Sequence, residues 1–411
     1  MKRNTLTLII TLFFHLSSNS QTPNSVSLSS GYVNQSFYSL SNGEIVNTSN
    51  INWDIAFTAE AFNASIRVNG GQGVELYTYQ LGDTSAWVNI NNSSIGNLSQ
   101  PLYNSDTSWT IGAFDANQLG HPDYGWGVYN MINHYVTGDS IFIIKTVNGN
   151  WKKIWIKELA ANGIYTFIHA NLDGSNLITQ TINKNNYSDK NFIYYSIDNN
   201  SVEDREPINT AWDITFTKYI TPVQGQPYSV TGVLSNSDIE VAEAVQIANP
   251  STYTNYSAHP FSSEINTIGY DWKYYDFSQG YVLSNDLCYF IKDMNNDIYR
   301  IVFTEFEGTS SGNISFNTEL INSTSIIDNN NKVNSFSIYP NPAINQTKVI
   351  VDAKNIGELK IFDVRGREIS KSIIDRGLKT YDINLNSFNK GVYIVSVTID
   401  GGSKKEKLII Q

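Results

Sequence analysis

The 411-residue sequence has one cysteine, Cys288, three methionines, five histidines and almost no helical periodicity. A single cysteine excludes an internal disulfide, a CxxC pair and a cysteine-rich zinc site. It lies in the apolar run LCYFI, where a buried, inert thiol is expected. Long apolar runs are also missing: only Leu6 to Leu16 stands out, shorter than the ~20 residues a membrane helix needs. With Lys2 and Arg3 ahead of it and Ser18-Asn19-Ser20 behind, this run reads as a secretory signal peptide over residues 1–20, and no membrane-spanning segment is expected. Cations are scarce through most of the chain. Residues 21–335 hold 13 Lys and Arg against 30 Asp and Glu, a net charge of −17, which repels phosphate backbones and argues against nucleic acid as a partner. Residues 336–411 reverse the sign, with 12 against 8, and mark a boundary.

What is abundant is strand pattern, and it is written twice. INWDIAFT at 51–58 returns as TAWDITFT at 210–217, 159 residues on. Trp53, Ile55 and Phe57 alternate with Asp54, Ala56 and Thr58, the period of a half-buried strand. A second anchor is the pair of hairpins SIFIIKTVNGNWKKIWIKEL and LCYFIKDMNNDIYRIVFTEF, which align without a gap when Lys145 is set over Lys292. Asn148-Gly149 supplies the tight turn of the first. Upstream, SFYSLSNGEIVN (36–47) parallels NFIYYSIDNNSVE (191–203), each a strand, a polar turn and a return toward its Trp-Asp strand. The repeat predicts one module over 21–184 and a divergent copy over 185–322, then an Asn- and Ser-rich linker at 323–335. SDIEVAEAVQIA (237–248) is the one stretch read as a short helix. The recurrent Asp54 and Asp213 are expected to accept hydrogen bonds from a neighbouring turn rather than to act chemically.

The tail opens with Tyr339-Pro340-Asn341-Pro342 and continues through LKIFDVRGREI, NKGVYIV and a basic last strand. Its pattern predicts a small antiparallel sandwich with strands near 347–352, 358–363, 367–374, 392–399 and 404–410. These motifs resemble the type A C-terminal sorting domain of the type IX secretion system of Bacteroidota, over 336–411. The resemblance implies export across both membranes, with the secretion machinery as partner, and release or attachment at the outer surface.

Within 21–322, Trp53-Asp54-Ile55-Ala56-Phe57, Arg67-Val68-Asn69-Gly70-Gly71 and Trp126-Gly127-Val128-Tyr129 resemble the HmuY-like family of exported haem-binding proteins. The second copy keeps Trp212-Asp213-Ile214 but has VTGVLSNS where the Asn-Gly-Gly turn stands in the first. The expected fold class is therefore all-β, mainly antiparallel: two HmuY-like β modules plus a small C-terminal β-sandwich sorting domain. The resemblance implies haem as a possible cofactor and an outer-membrane haem receptor as a possible partner. Axial ligands would come from His or Met, and the interval NMINHYVTGD offers Met131 and His134, with His121 just before; the second copy has Ser278 and Tyr281 at the aligned offsets. The ordinary role of a Met beside Ile132 is packing, and that of a His in HYVTGD is a surface turn.

No enzyme motif stands up. Gly308-Thr309-Ser310-Ser311-Gly312 matches G-x-S-x-G but joins two strands with no later histidine. Asp293-Met294-Asn295-Asn296-Asp297 starts like a calcium loop but has Ile298 where the glycine belongs. The sequence thus predicts a secreted or outer-surface binding protein that is not an enzyme. It captures haem or porphyrin for iron acquisition or, alternatively, serves in surface adhesion or carbohydrate binding with the haem site lost.

Overall fold

The computed structural model describes residues 21–322, 333–353, 355–399 and 402–411. The expected signal peptide and most of the linker lie outside the described residues. Two compact units result, one ending at Asn322 and one beginning at Ser323. Every described strand pairing in both units is antiparallel apart from isolated bridges, so the all-β expectation holds.

The first unit contains two sandwiches. One sets a sheet of Glu75–Thr78, Gly127–Tyr129, Val136–Gly138, Phe142–Lys145, Trp151–Leu159, Ile164–Asn171 and Ile178–Asn183 against a sheet of Ile55–Thr58, Ile66–Val68, Phe192–Ser196 and Ser201–Glu203. The other sets Thr22–Ser27, Glu240–Ala244, Cys288–Lys292, Ile298–Phe306 and Asn313–Asn322 against Asn34–Ser39, Gly43–Ser49, Ile214–Val223 and Gln226–Ser235. Their equivalence extends to single contacts. Lys145 lies opposite Glu75 and bonds it at 2.9 Å, and Lys292 lies opposite Glu240 and bonds it at 2.6 Å. Cys288 is fully buried, and burial pushes its thiol up to about 11.

The hairpins do not pair as the sequence suggests. Strand Asn34–Ser39 pairs with the second Trp-Asp strand, Tyr38 opposite Ile214 and Phe37 opposite Thr215. Strand Phe192–Ser196 pairs with the first, Tyr195 opposite Ile55 and Tyr194 opposite Ala56. The hydrophobic cores follow this exchange: one draws only on residues from Ile55 to Ile197, the other on Val26 to Leu40 and Ile214 to Phe316. The structural halves are thus about 50–206 and 21–49 with 207–322, which corrects the boundary expected at 184/185.

Chain length forces the exchange. Within each sheet the Trp-Asp strand and the outer hairpin strand both run antiparallel to the strand between them, and so run parallel to each other. A parallel neighbour in one sheet needs a crossover of roughly a dozen residues. Only residues 50–54 join Gly43–Ser49 to Ile55–Thr58, and 204–213 join Ser201–Glu203 to Ile214–Val223. The five-residue link is too short to carry its own Trp-Asp strand back along the hairpin and over it, and once the first hairpin is paired elsewhere the second fills the vacant place.

The two recurrent aspartates latch the exchanged hairpins. Asp54 is fully buried; Oδ2 accepts from the Ile197 N–H (2.7 Å) in the exchanged turn, and Oδ1 accepts from the Val147 N–H (2.8 Å). Asp213 Oδ2 accepts from the Leu40 N–H at 2.7 Å, the matching place in the other turn. The expected structural role of both aspartates is the one seen.

The stretch 237–248, expected as a short helix, instead forms the strand Glu240–Ala244. Val241 enters one core and Ala242 and Ala244 another while the backbone pairs with Cys288–Lys292, and that tertiary ladder overrides weak helix propensity.

The second unit is a two-sheet sandwich. Strands Gln346–Ala353, Gly357–Asp363, Glu368–Ile374, Gly391–Ile399 and Gly402–Ile410 match the five expected. Two more, Val333–Tyr339 and Gly377–Asn384, were not anticipated: the first ends at Pro340, and the second shows mainly exposed residues and so no apolar alternation.

Two outcomes follow. Expressed alone, residues 50–206 should unfold cooperatively on heating, monitored by circular dichroism, whereas residues 21–184 should not, because they lack the partner of Ile55–Thr58. Asp54→Ala leaves two buried N–H groups without an acceptor and should cost about 2–4 kcal/mol in urea unfolding. Asp213→Ala should cost less, since its carboxylate receives one N–H of the exchanged turn.

Candidate functional site

Met131 and His134 sit at the tip of a hairpin formed by Gly127–Tyr129 and Val136–Gly138. Trp126, fully buried, roots it in the core, and its indole N–H donates to the Ala64 carbonyl at 3.0 Å. Met131 is 74% exposed and Ile132 is 92% exposed. His134 adopts a left-handed φ of 62°, and its Nδ1 lies 2.6 Å from the Tyr129 hydroxyl. The His121 and His134 rings stand 5.4 and 6.0 Å from that of Tyr129, so two of the candidate donors flank one half-buried tyrosine. Haem capture through Met131 and His134 needs ligands facing each other across an apolar slot. These two side chains lie three residues apart on one exposed turn, and as placed they do not frame such a slot.

The second copy has the same hairpin, Lys273–Asp276 and Gly280–Leu283, rooted by the buried Trp272. Counted from the two root tryptophans, Met131 falls with Phe277 and His134 with Gly280. The root tryptophans are 146 residues apart rather than 147, which moves the equivalence one place from Ser278 and Tyr281. Gly280 has φ 80°, so His134 occupies a left-handed turn position that the second copy fills with the residue best suited to it. Phe277 is 99% exposed, and Tyr274, Tyr275 and Tyr281 beside it are 56%, 58% and 41% exposed. Tyr275 meets both Phe277 (5.7 Å) and Tyr281 (5.2 Å) edge to face, and Tyr281 leans on Phe306 at 4.7 Å.

The two remaining histidines among the described residues each face a tyrosine hydroxyl. His169 is buried with Nε2 3.1 Å from the Tyr195 hydroxyl, and burial, with Lys152 nearby, pushes it down to about 4. His259 Nε2 lies 3.0 Å from the Tyr253 hydroxyl. Ser310, of the G-x-S-x-G match, donates to the Glu307 carbonyl in a turn between two strands. Asp293 Oδ1 accepts from the Asn295 and Asp297 N–H groups, closing a hairpin turn.

The Asn-Gly-Gly turn is a packing device, and the second copy does supply its key residue. Asn69 Nδ2 donates to the Asn50 (2.7 Å) and Trp53 (3.0 Å) carbonyls. Asn236 Nδ2 donates to Asn209 (2.7 Å) and Trp212 (2.8 Å) in the same way. The match was hidden because the strand before Asn69 is 3 residues long and the one before Asn236 is 10. Gly71 packs so closely on the second copy that a Cβ there would lie 2.0 Å from the Lys218 carbonyl oxygen.

Sequence reasoning did not anticipate the seam between the Trp-Asp sheets. Trp53 meets Tyr194 at 4.9 Å and Trp212 meets Phe37 at 5.0 Å, both edge to face. Arg205 is buried against the Tyr194 ring and donates to Gln35 Oε1 (2.7 Å) and the Ser49 carbonyl (2.8 Å). Glu206 accepts from the Asn191 N–H (3.0 Å) and the Tyr194 hydroxyl (2.9 Å), and burial pushes it up to about 7 despite those bonds and Arg205.

A carboxyl raised in the folded state from an ordinary 4.5 contributes stability that is full below about 4.5 and lost as pH rises through about 7. Glu206→Gln removes that titration. Its melting temperature relative to the native protein should therefore climb between pH 5 and pH 8, by an amount corresponding to up to roughly 3 kcal/mol. Asp115, also raised to about 7, and His169 titrate in both proteins and cancel in the difference.

Comparison with solved structures finds a chain titled "Biofilm associated protein - BSP domain" at 11% identity. It covers 97% of this chain and 68% of that chain, at a TM-score of 0.17, a likeness too weak to carry an argument. No curated protein matches the sequence. Residues 337–411 match the secretion system C-terminal sorting domain, so this chain carries a type IX sorting signal that directs it to secretion and the outer surface.

Proposed function

We propose that the mature protein is a non-enzymatic binding protein at the outer surface that attaches to neutral glycans through the aromatic hairpin at 273–283. The observation that carries this reading is the exposed cluster of Tyr274, Tyr275, Phe277 and Tyr281 on a rigidly rooted hairpin. Exposed rings gathered in one place mark an interaction site, and sugar C–H faces pack on such rings while the hydroxyls stay in water. The acidic surroundings disfavour anionic polymers as the ligand. Asp276 holds the turn by accepting from the Ser278 and Gln279 N–H groups, which leaves the rings fixed.

The HmuY-like resemblance supports a second reading, capture of haem or porphyrin for transfer to an outer-membrane receptor. What favours it is the placing of His121 and His134 beside Tyr129, with Met131 three residues from His134 on the same turn. One pair of measurements separates the two. On an array of neutral oligosaccharides the protein should bind, and Tyr275→Ala with Phe277→Ala should lose at least about tenfold in affinity, as for a base-stacking or glycan-stacking pair of rings. A Soret shift on haemin titration that disappears in Met131→Ala with His134→Ala, together with no glycan binding, would move the function to the second reading. Silence in both assays sinks both.

A further inference from the structure

The seven-stranded sheet ends in the strand Ile178–Asn183, which pairs with Ile164–Asn171 and leaves its other edge open. An open edge is a row of N–H and C=O groups ready to take another strand, and folds blunt it with charge, proline, a bulge, brevity or a cover. Other edges of the first unit are blunted in these ways. Glu240–Ala244 is closed by Val241 and Ser262, which exchange N–H to carbonyl bonds of 2.9 and 2.8 Å. Asn104 caps both the N–H (2.9 Å) and the carbonyl (2.7 Å) of Val68. Gly43–Ser49 carries Glu44 and a register shift, and Ser201–Glu203 has 3 residues.

In the other sandwich the same place is taken by Thr22–Ser27, at the edge beside Asn313–Asn322. The Leu28 N–H donates to the Gly312 carbonyl (3.0 Å) as the Lys184 N–H donates to the Gly163 carbonyl (2.9 Å), which sets Leu28 over Lys184 and Pro23 over Thr179. Hydrogen-bonding direction alternates along a strand, so these two bonds turn the even-numbered residues of each edge strand toward its neighbour and the odd-numbered ones outward. Pro23 therefore removes an outward N–H, and the outward Ser27 carbonyl is occupied by Asn47 Nδ2 at 2.8 Å. Thr179 and Thr181 have neither device. Both are exposed, and among the described residues no group bonds their outward N–H and C=O.

The open strand is also its own complement. Ile178-Thr179-Gln180-Thr181-Ile182 reads the same in both directions, and no charged residue lies between Asp173 and Lys184. Laid antiparallel about a two-fold axis at Gln180, two copies set Thr179 opposite Thr181, Gln180 opposite Gln180 and Ile178 opposite Ile182. A two-fold interface requires that residue i meet j while j meets i, and a palindromic strand makes every such pair a pair of like residues. The outward N–H and C=O of Thr179 then exchange bonds with those of Thr181 in the second copy. Threonine pairs and apolar β-branched pairs are favourable cross-strand neighbours. In a chain of net charge −11, this uncharged stretch lets two copies meet without like charges opposed.

We propose that the protein self-associates through this edge, two copies joining their Ile178–Ile182 strands antiparallel into one continuous sheet. The interface is small, so the dimer is weak, with a Kd on the order of 10–100 µM. It rests on the sheet edge alone and does not depend on what the hairpin tips bind.

The test is sedimentation equilibrium of the chain from residue 21 to its end, over concentrations spanning about 5 to 500 µM. Expected is a mass that rises from monomer toward dimer. Thr179→Pro copies the device of the other edge, removes an outward N–H without touching the ladder to Ile164–Asn171, and should weaken association at least about tenfold. Thr179→Lys with Thr181→Lys sets like charges directly opposite each other and should leave a monomer. Thr179→Lys with Thr181→Glu sets opposite charges there instead and should dimerise at least as well as the native protein. Should the proline variant fail to fold, the two charge variants decide. A monomer throughout the range, a dimer indifferent to the double lysine change, or a Lys/Glu variant as monomeric as the double lysine one overturns the proposal.

Discussion

Five residues join the first hairpin to Ile55, and that short link decides how the first unit is built. A strand cannot be returned parallel to its own hairpin over so small a distance, so each hairpin is used by the other copy. Everything that binds the halves descends from this. Each Trp-Asp strand takes the other hairpin as its neighbour, and the aspartates become latches for hairpins that begin far away in the chain. The outward faces of the two exchanged sheets are then brought against each other. The loop at 104–112 adds a further tie: Trp109 Nε1 donates to the Ser235 carbonyl (2.8 Å), and the Thr107 carbonyl accepts from the Ile265 N–H (3.1 Å).

The scarcity of cations takes on a second meaning in the folded chain. Lys153, Lys184, Lys273, Arg67, Arg205 and Arg300 are all buried. Each donates to backbone carbonyls, most of them outside the strands: Lys153 to Trp87 and Ile90, Lys184 to Glu60 and Asn63, Lys273 to Thr231 and Tyr270, Arg300 to Tyr253 and Ser251. Burial pushes Lys184 down to about 8 and Lys273 to about 7, so their charge is held against a real desolvation cost. Carbonyls of irregular loops need donors that no sheet ladder supplies, and a long cationic side chain reaches several at once. Lys153 and Arg300, aligned in the repeat, do this in both copies. The consequence is an exterior still more acidic than the composition alone implies.

The alternation in INWDIAFT and TAWDITFT made both strands, their buried faces and the duplication legible, and the gapless alignment of the two hairpins held to the level of the Lys145 and Lys292 ion pairs. What the repeat could not say was which hairpin belonged to which strand, because the pattern of inward residues is the same for either pairing. The information was nevertheless present, in the length of the links. Asn236 was missed for a different reason: an unequal strand length shifted it from the place where the Asn-Gly-Gly turn stood. Met131 and His134 were singled out from their residue types, and exposure is the property that residue type does not report. The seam was not legible, since nothing in either copy alone distinguishes a face turned to water from a face turned to its twin.

The interlock also explains where the copies have been free to diverge. Asp54, Asn69 and their counterparts Asp213 and Asn236 each hold a backbone group from a separate part of the chain, so a change at one strands a buried polar partner elsewhere. The hairpin tips satisfy no such demand beyond their root tryptophans. One tip carries Met131, Ile132 and His134, the other Tyr275, Phe277 and Gly280, and both differ without disturbing the sheets beneath. Duplication has thus produced one compact unit with two chemically distinct hairpin tips. Contacts of that kind gain from each other only on a ligand long enough to reach both, because the second engagement is then intramolecular. A polymeric surface ligand meets that condition and a single small molecule does not, which is a physical reason to favour attachment over capture for the tips.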